Sequence, residues 1–126
     1  MLFHSEFGEL SLPQFETMAA VLPQPAMWSV FSAAQAQRSP NGAGARVVGF
    51  ITSTLGKGLA ANYNSTTEAG YRRVAYLSQL AQSESMRSVV DAGRLGIAAT
   101  ETSSGVFDRP WGYMFWQLND VTQGYR

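Results

Sequence analysis

Two groups of polar residues in this sequence could carry chemistry, and each accompanies an apolar stretch. In the first, His4-Ser5-Glu6-Phe7-Gly8, a carboxylate lies where the stretch ends, beside a glycine that lets a ligand come close. A carboxylate placed in this way could act as a nucleophile or as a base. It could also be a strand-end Glu that hydrogen-bonds its neighbours. The local pattern leaves both interpretations of Glu6 open.

The second group, Phe115-Trp116-Gln117-Leu118-Asn119-Asp120, joins aromatic side chains to amide and carboxylate groups. Sugars bind to such combinations by stacking on a ring and by hydrogen bonds from their hydroxyls. The alternative is a core Trp116 followed by a capping Asn119-Asp120. Because both polar groups lie at the ends of predicted strands, their joint occurrence is more informative than either group alone.

Hydrophobic spacing predicts the elements that position these groups. Residues 1–7, which are apolar apart from His4, Ser5 and Glu6 and stop at Gly8, indicate a short buried strand. The nearly continuous apolar run 112–118 indicates a second strand that is buried on both faces. Between them the spacing predicts three helices, over residues 11–22, 47–55 and about 66–93, although the β-branched residues of 47–55 leave a strand possible there. The inward residues predicted for the third helix are Tyr71, Val74, Leu77, Ala81 and Val89. Residues 23–46 are predicted to be a long irregular segment with at most a turn of helix.

Several residues are predicted to start or stop these helices. Ser11 and Gln14 have the spacing of a capping box at the first helix, and Gly56 and Gly93 are placed to end the second and third. The order strand, helices, strand is the βαβ arrangement of an α/β protein. In barrels of this class the active site lies at the C-terminal ends of the strands. Two strands cannot close a barrel, so this order predicts an incomplete fold.

Composition excludes several other classes of protein. Nine Lys and Arg balance nine Asp and Glu, so no net charge attracts nucleic acid or an anionic membrane. With no cysteine and His4 as the single histidine, neither a zinc-thiolate site nor a histidine cluster is expected. No run approaches the roughly 20 apolar residues of a membrane span. The charged fraction, 14%, is low for a soluble domain, which is typical of a chain cut from a larger fold.

Two sets of motifs resemble a known family. The first set is similar to the stretch around the nucleophile in β-mannosidases of glycoside hydrolase family 2. It consists of Ser5-Glu6-Phe7-Gly8, Ser11-Leu12-Pro13 and Phe15-Glu16-Thr17. Two later motifs resemble, in the same order, the last barrel helix and the last barrel strand of that family. The helix motif is Tyr76-Leu77-Ser78-Gln79-Leu80 with Gln82 and Glu84, and the strand motif is Trp116-Gln117-Leu118-Asn119-Asp120. The resemblance covers nearly the whole chain.

The resemblance implies a fold and a function. Residues 1–126 would be the C-terminal fragment of a catalytic domain, an α/β fold in the form of a partial (β/α)8 TIM barrel with its last two strands and the intervening helices. Glu6 would be the nucleophile of a retaining hydrolase that releases terminal β-D-mannose from β-mannosides without a cofactor. Trp116 would form the floor under the mannose, with Asn119 and Asp120 as polar contacts. The remainder of the parent barrel would be the partner.

The sequence departs from the family at two places. The family's general acid lies in an Asn-Glu motif, and this sequence contains no Asn-Glu pair. The histidine-containing loop of the family corresponds here to Ala36-Gln37-Arg38-Ser39-Pro40, without histidine. A catalytically inactive remnant, or a carbohydrate-binding module derived from the same fold, is therefore the alternative. The compartment stays open, since residues 1–6 have no signal-peptide pattern and the resemblance is compatible with a lysosomal or secreted parent.

Overall fold

The computed structural model describes residues 4–38, 43–57, 62–100 and 113–115. In chain order these residues form strand β1 (His4–Phe7), helix α1 (Phe15–Val21), a 3₁₀ helix (Pro25–Met27), helices α2 (Ala33–Arg38), α3 (Ala43–Leu55) and α4 (Glu68–Thr100), and strand β2 (Tyr113–Phe115). Helix accounts for 67% of the described residues. The described part of the chain is therefore mainly helical.

The longest element is α4, with 33 residues. It begins where the sequence predicts, because the Thr67 hydroxyl oxygen accepts a hydrogen bond from the Gly70 backbone N–H at 3.1 Å and so caps the first turn. Glu68 adds a negative charge in that turn, which the helix dipole favours. The predicted end near Gly93 is wrong, since α4 continues to Thr100. A glycine inside a helix destabilises it by only about 1 kcal/mol and does not break it.

The core lies between α3 and α4, and α1 covers one side of it. Val47 and Ile51 are four residues apart on α3 and are fully buried. Four of the predicted inward residues of α4 are confirmed as buried: Tyr71, Val74, Leu77 and Ala81. Val89, the fifth, is only partly buried. The remaining buried apolar residues come from α1, its flanking segments and α4: Leu12, Phe15, Met18, Leu22, Val30 and Ala75.

The start of α1 differs from the predicted capping box. Gln14 is the N-cap residue, and its side chain makes no capping hydrogen bond. The Ser11 hydroxyl instead donates to the Oε1 atom of Gln82 on α4, at 2.9 Å. A hydrogen bond to a distant helix has thus replaced the predicted local one, and α1 begins at Phe15.

The prediction of an irregular segment over residues 23–46 is largely wrong. It contains the 3₁₀ helix, α2 and the first turn of α3. Near the start of α3 the backbone of Gly44 approaches the Val30 carbonyl so closely that a Cβ atom would clash with it. At the other end, Gly56 has a φ of 95°, which confirms that a glycine ends α3 in a left-handed conformation.

Both predicted strands are present within the described residues. β1 and β2 pair in parallel, with His4 opposite Tyr113 and Phe7 opposite Phe115, and the register is irregular between these two positions. The predicted burial of the second strand on both faces is wrong, because Met114 is 57% exposed and Phe115 is 47% exposed. Successive strand residues point to opposite faces, so both faces of β2 are open.

The predicted partial (β/α)8 barrel is also wrong. In a TIM barrel the helices pack on the strands and cover them. In the described ranges the helices pack on one another instead, and the buried core includes no residue of β1 or β2. The described chain is a helical cluster with a short parallel strand pair.

The packing of α3 on α4 makes the stability of the chain depend on Ile51. Ile51 is fully buried, so Ile51→Ala should destabilise the protein by about 2–5 kcal/mol through lost burial and a residual cavity. Urea denaturation followed by circular dichroism measures this change. The control is Leu95→Ala, since Leu95 is 71% exposed on α4 and its truncation should change stability by no more than about 0.5 kcal/mol. Equal effects of the two substitutions would contradict this packing.

Candidate functional site

Glu6, the predicted nucleophile, lies on β1 one residue before the strand ends, and its side chain is exposed. Phe7, which ends β1, is opposite Phe115, which ends β2. Because the strands are parallel, their carboxyl ends lie at the same edge of the sheet. In the sequence, Trp116 follows Phe115 directly. The register thus brings the strand that carries Glu6 beside the strand that leads to the second predicted group.

The other predicted site residues, Trp116, Asn119 and Asp120, lie outside the described residues. Their proposed roles as the floor and polar contacts of a sugar site stay predictions. Glu6 is therefore the one predicted site residue whose position can be compared with its surroundings.

The segment that follows Glu6 is held by side chains of α4. Residues 8–14 have no regular secondary structure, so their backbone groups need partners from elsewhere. The Gln82 Nε2 atom donates to the Glu9 carbonyl oxygen at 2.5 Å, and its Oε1 atom accepts from the Ser11 hydroxyl at 2.9 Å. Both ends of the Gln82 amide are thus in use, which fixes the orientation of the side chain.

Three further residues of α4 hold the same segment. The Leu12 N–H donates to the Ser78 hydroxyl oxygen at 2.9 Å, and Gln79 Nε2 donates to the Leu12 carbonyl at 2.8 Å. The Tyr71 hydroxyl donates to the Pro13 carbonyl at 3.1 Å. We call these four α4 residues the polar rail: Tyr71, Ser78, Gln79 and Gln82. Their spacing places them on one side of the helix.

The position of Ser78 in the sequence is a signal for the polar rail. Ser78 lies four residues after Val74 and three before Ala81, on the stripe of α4 that faces the core, and it is fully buried. A hydroxyl in such a stripe requires a hydrogen-bond partner, because burying it without one is unfavourable. Ser78 has two, since its hydroxyl accepts from the Leu12 N–H and also donates to the Ala75 carbonyl oxygen at 2.8 Å. The residues held by the polar rail, 9–13, are called segment 9–13. The sequence does not identify this segment as the partner of Ser78.

A charged cluster lies at the beginning of α1 and α4. The Arg72 guanidinium donates to Glu16 at 2.6 Å and to Glu68 at 2.8 Å, and it stacks over the Phe15 ring at 4.8 Å from the centroid. The sequence predicts Arg72 as a solvated or ion-paired residue, and the ion pairs are present. The cluster borders an open cleft of about 350 Å³ that also includes Tyr76. Glu6, the predicted site residue within the described part of the chain, is not among the residues that line this cleft.

The pairing in this cluster shifts two pKa values. The hydrogen bond from Arg72 lowers the pKa of the Glu16 carboxyl below its ordinary value. The hydrogen bonds to Glu16 and then to Glu68 raise the pKa of Arg72. All three side chains are substantially exposed, so solvent weakens the pairing. Arg72 thus links α4 to Glu16 in the first turn of α1.

Across the described ranges, no three His, Cys, Asp or Glu side chains come together as a metal site would require. Within the same residues, no helix is long and apolar enough to cross a membrane.

Comparison with known proteins adds no relative. No family model matches the chain, and neither a curated protein nor a solved structure is significantly similar to it. The resemblance to family 2 β-mannosidases rests on the motifs from Ser5 to Asp120 and remains a prediction.

The lowered pKa of Glu16 predicts a pH-dependent contribution to stability. A carboxyl whose pKa is lower in the folded state stabilises the fold above its unfolded pKa, and this contribution is lost as the pH falls through the folded pKa. Glu16→Gln should therefore slightly lower the free energy of unfolding at neutral pH, and the difference from wild type should shrink at a pH of about 3. Urea denaturation at the two pH values measures it.

Asp91→Asn is the matched control for this pH experiment, because it removes an exposed carboxylate farther along α4. A difference between wild type and Glu16→Gln that stays constant between neutral and acidic pH would show that the pairing with Arg72 is not responsible.

Proposed function

We propose that this chain carries the nucleophile of a retaining, β-mannosidase-like glycoside hydrolase, which releases terminal β-D-mannose from β-mannosides, and that Glu6 is that nucleophile. The proposal is supported by the motifs around Glu6, along α4 and from Trp116 to Asp120, which occur in the order found in family 2 β-mannosidases. It does not depend on a barrel within the described residues.

The parallel pairing of β1 and β2 is the observation that carries the proposal. The two motif groups are separated by about a hundred residues in the sequence, and pairing in parallel puts the ends of their strands at one edge. An antiparallel pair would have separated these ends by the length of the strands. A carboxylate at such an edge, next to a chain that continues into Trp116, suits the binding and cleavage of a sugar.

The proposed reaction has two steps. In the first, the Glu6 carboxylate attacks the anomeric carbon of the mannose and forms a covalent glycosyl-enzyme, while a carboxylic acid protonates the departing oxygen. In the second, the conjugate base of that acid takes a proton from water, which attacks the same carbon and releases mannose and free Glu6. The anomeric configuration is inverted twice and thus retained.

The second carboxylic acid must come from outside these residues. A retaining enzyme holds its two carboxyl groups about 5–5.5 Å apart, and the family supplies the acid from an Asn-Glu motif that this sequence lacks. We propose that the remainder of the parent enzyme provides it, with Trp116, Asn119 and Asp120 contacting the bound mannose. The chain then contributes half of the catalytic pair.

The missing acid also favours a second candidate function. A chain that keeps Trp116 and lacks the acid could bind mannosides without cleaving them, as an inactive remnant or a carbohydrate-binding module would. The two candidates differ in the role of Glu6. Catalysis requires a covalent bond to Glu6, whereas binding alone does not.

The proposal predicts that the 126-residue chain alone has no significant β-mannosidase activity. One carboxylate cannot both attack the sugar and protonate the leaving oxygen. A fluorogenic β-mannoside measures the rate for the chain and for Glu6→Gln, and the two rates should be equal within error. Rapid hydrolysis that depends on Glu6 would contradict the division of the catalytic pair between this chain and the rest of the enzyme.

A second prediction concerns the protein expressed from the complete reading frame that contains this chain. A mechanism-based fluoro-mannoside, which traps the glycosyl-enzyme, should label Glu6, and peptide mass spectrometry should locate the label on that residue. Glu6→Gln should abolish labelling and lower kcat by at least about a thousandfold, since the covalent step is removed.

Glu9→Gln is the control for the labelling experiment. Glu9 is an exposed carboxylate three residues after Glu6, and its substitution should leave the label and kcat unchanged. Binding of a β-mannoside by the wild type without any label or turnover would support the carbohydrate-binding alternative and exclude the enzymatic one.

A further inference from the structure

We propose that Gln82 is a positioning residue for Glu6: by holding the chain just after β1, the Gln82 amide keeps the carboxylate in its reactive position. This inference rests on the proposed function. Gln82 acts through the backbone of segment 9–13, and no direct contact with the sugar is required.

The first step of the argument is the short distance along the chain. The Glu9 carbonyl, to which Gln82 donates at 2.5 Å, is three residues after Glu6. Three residues span at most about 10 Å when fully extended. Phe7 and Gly8 are the two residues in between, and glycine has the widest range of backbone conformations. A restraint is therefore needed on the far side of Gly8, where Gln82 supplies it.

The second step is that Gln82 makes two bonds to this segment. Its Nε2 atom donates to Glu9 and its Oε1 atom accepts from the Ser11 hydroxyl. Two bonds from one planar amide restrain rotation as well as distance. Ser11 is buried, so its hydroxyl is held in a site from which water is largely absent. Loss of the Gln82 amide would leave the Ser11 and Glu9 groups without this restraint.

The third step separates Gln82 from the rest of the polar rail. Ser78 and Gln79 bind the N–H and the carbonyl of Leu12, which is buried and belongs to the core. Those bonds dock the segment on α4 at a point six residues from Glu6. Gln82 binds nearer to Glu6, at the end of the docked segment. Gln79 is thus mainly structural, and Gln82 transmits the position of α4 to β1.

The magnitude follows from the demands of the reaction. A nucleophile displaced by about 1 Å from its attack position can lose roughly a hundredfold in rate. Substrate affinity depends on other groups and should change less. Loss of Gln82 should therefore lower kcat while KM stays nearly constant.

The experiment uses the protein expressed from the complete reading frame, with Gln82→Leu and Gln79→Leu as a matched pair on the same helix. Both substitutions replace a glutamine by a shorter apolar side chain without an amide, and each removes a donor to segment 9–13. Gln82→Leu should lower kcat for an aryl β-mannoside by about tenfold to a hundredfold with little change in KM. Gln79→Leu should reduce thermal stability at least as much and change kcat by less than about threefold.

Hydrogen exchange by mass spectrometry is the second readout, and it does not depend on activity. In Gln82→Leu, amides of residues 4–8 should exchange faster than in wild type, whereas in Gln79→Leu the increase should be confined to residues 9–14. Equal kcat values for wild type and Gln82→Leu would overturn the inference, as would equal losses of kcat in the two variants.

The two proposals can fail separately. If the wild type shows no Glu6-dependent turnover or labelling, the proposed function is wrong, and exchange alone then decides whether Gln82 holds β1. Unchanged exchange at residues 4–8 in Gln82→Leu would overturn the positioning role in that case too. Turnover that depends on Glu6 but is insensitive to Gln82 would leave the proposed function standing and reject the inference.

Discussion

The stretch between β1 and α1 has no secondary structure of its own, so its backbone N–H and carbonyl groups need hydrogen-bond partners elsewhere. The hydrogen bonds that α4 makes with these groups are the constraint on which the rest of the structure depends. A loop can pass over a protein surface with water as its partner, but this one carries the buried residues Ser11 and Leu12. Their polar groups need partners inside the protein. The Leu12 N–H and carbonyl both find them on α4, at Ser78 and Gln79. The first part of the chain is therefore placed by a helix that begins more than fifty residues later.

The order of importance among these bonds follows from burial. A hydrogen bond contributes about 0.5–1.5 kcal/mol net, whereas a buried polar group left without a partner destabilises the fold by about 1–3 kcal/mol. The hydrogen bond between Leu12 and Ser78 joins two fully buried residues. Removing either of its two groups should therefore destabilise the fold more than removing a group from the more exposed bonds. The contacts of α1 depend on the same docking. The Phe15 ring contacts Tyr71 and Trp28 edge-on at centroid distances of 5.9 and 4.8 Å. These contacts form only when segment 9–13 places the start of α1 beside Tyr71 on α4.

The hydrophobic spacing of the sequence predicts those elements of the fold that depend on residues close together in the chain. The apolar spacing identified α3 and α4, the buried faces of both and Gly56 as the end of α3, because amphipathic periodicity and a left-handed glycine depend on neighbours in sequence. The capping box at Ser11 and Gln14 failed because Gln82, far away in sequence, took the Ser11 hydroxyl. The ion pair of Glu16 with Arg72 was not predicted in detail, since the two residues are 56 positions apart. The apolar run 112–118 predicts a buried strand, yet Met114 and Phe115 are exposed, because apolar residues do not by themselves determine which other element covers them.

The open faces of the strand pair bear on the chemistry proposed for Glu6. A nucleophilic carboxylate reacts efficiently when water is excluded and fixed dipoles surround the reacting atoms. Glu6 is exposed, and Met114 and Phe115 present apolar side chains to both sides of β2. The observation that excludes a barrel within the described residues thus also implies that catalysis needs further polypeptide over this sheet. The polar rail holds segment 9–13, which follows the carboxylate in the chain, while the groups that would exclude water must come from the open side of the strands. Position and environment of the nucleophile would then come from different parts of the enzyme, the first from α4 and the second from the polypeptide that covers β1 and β2.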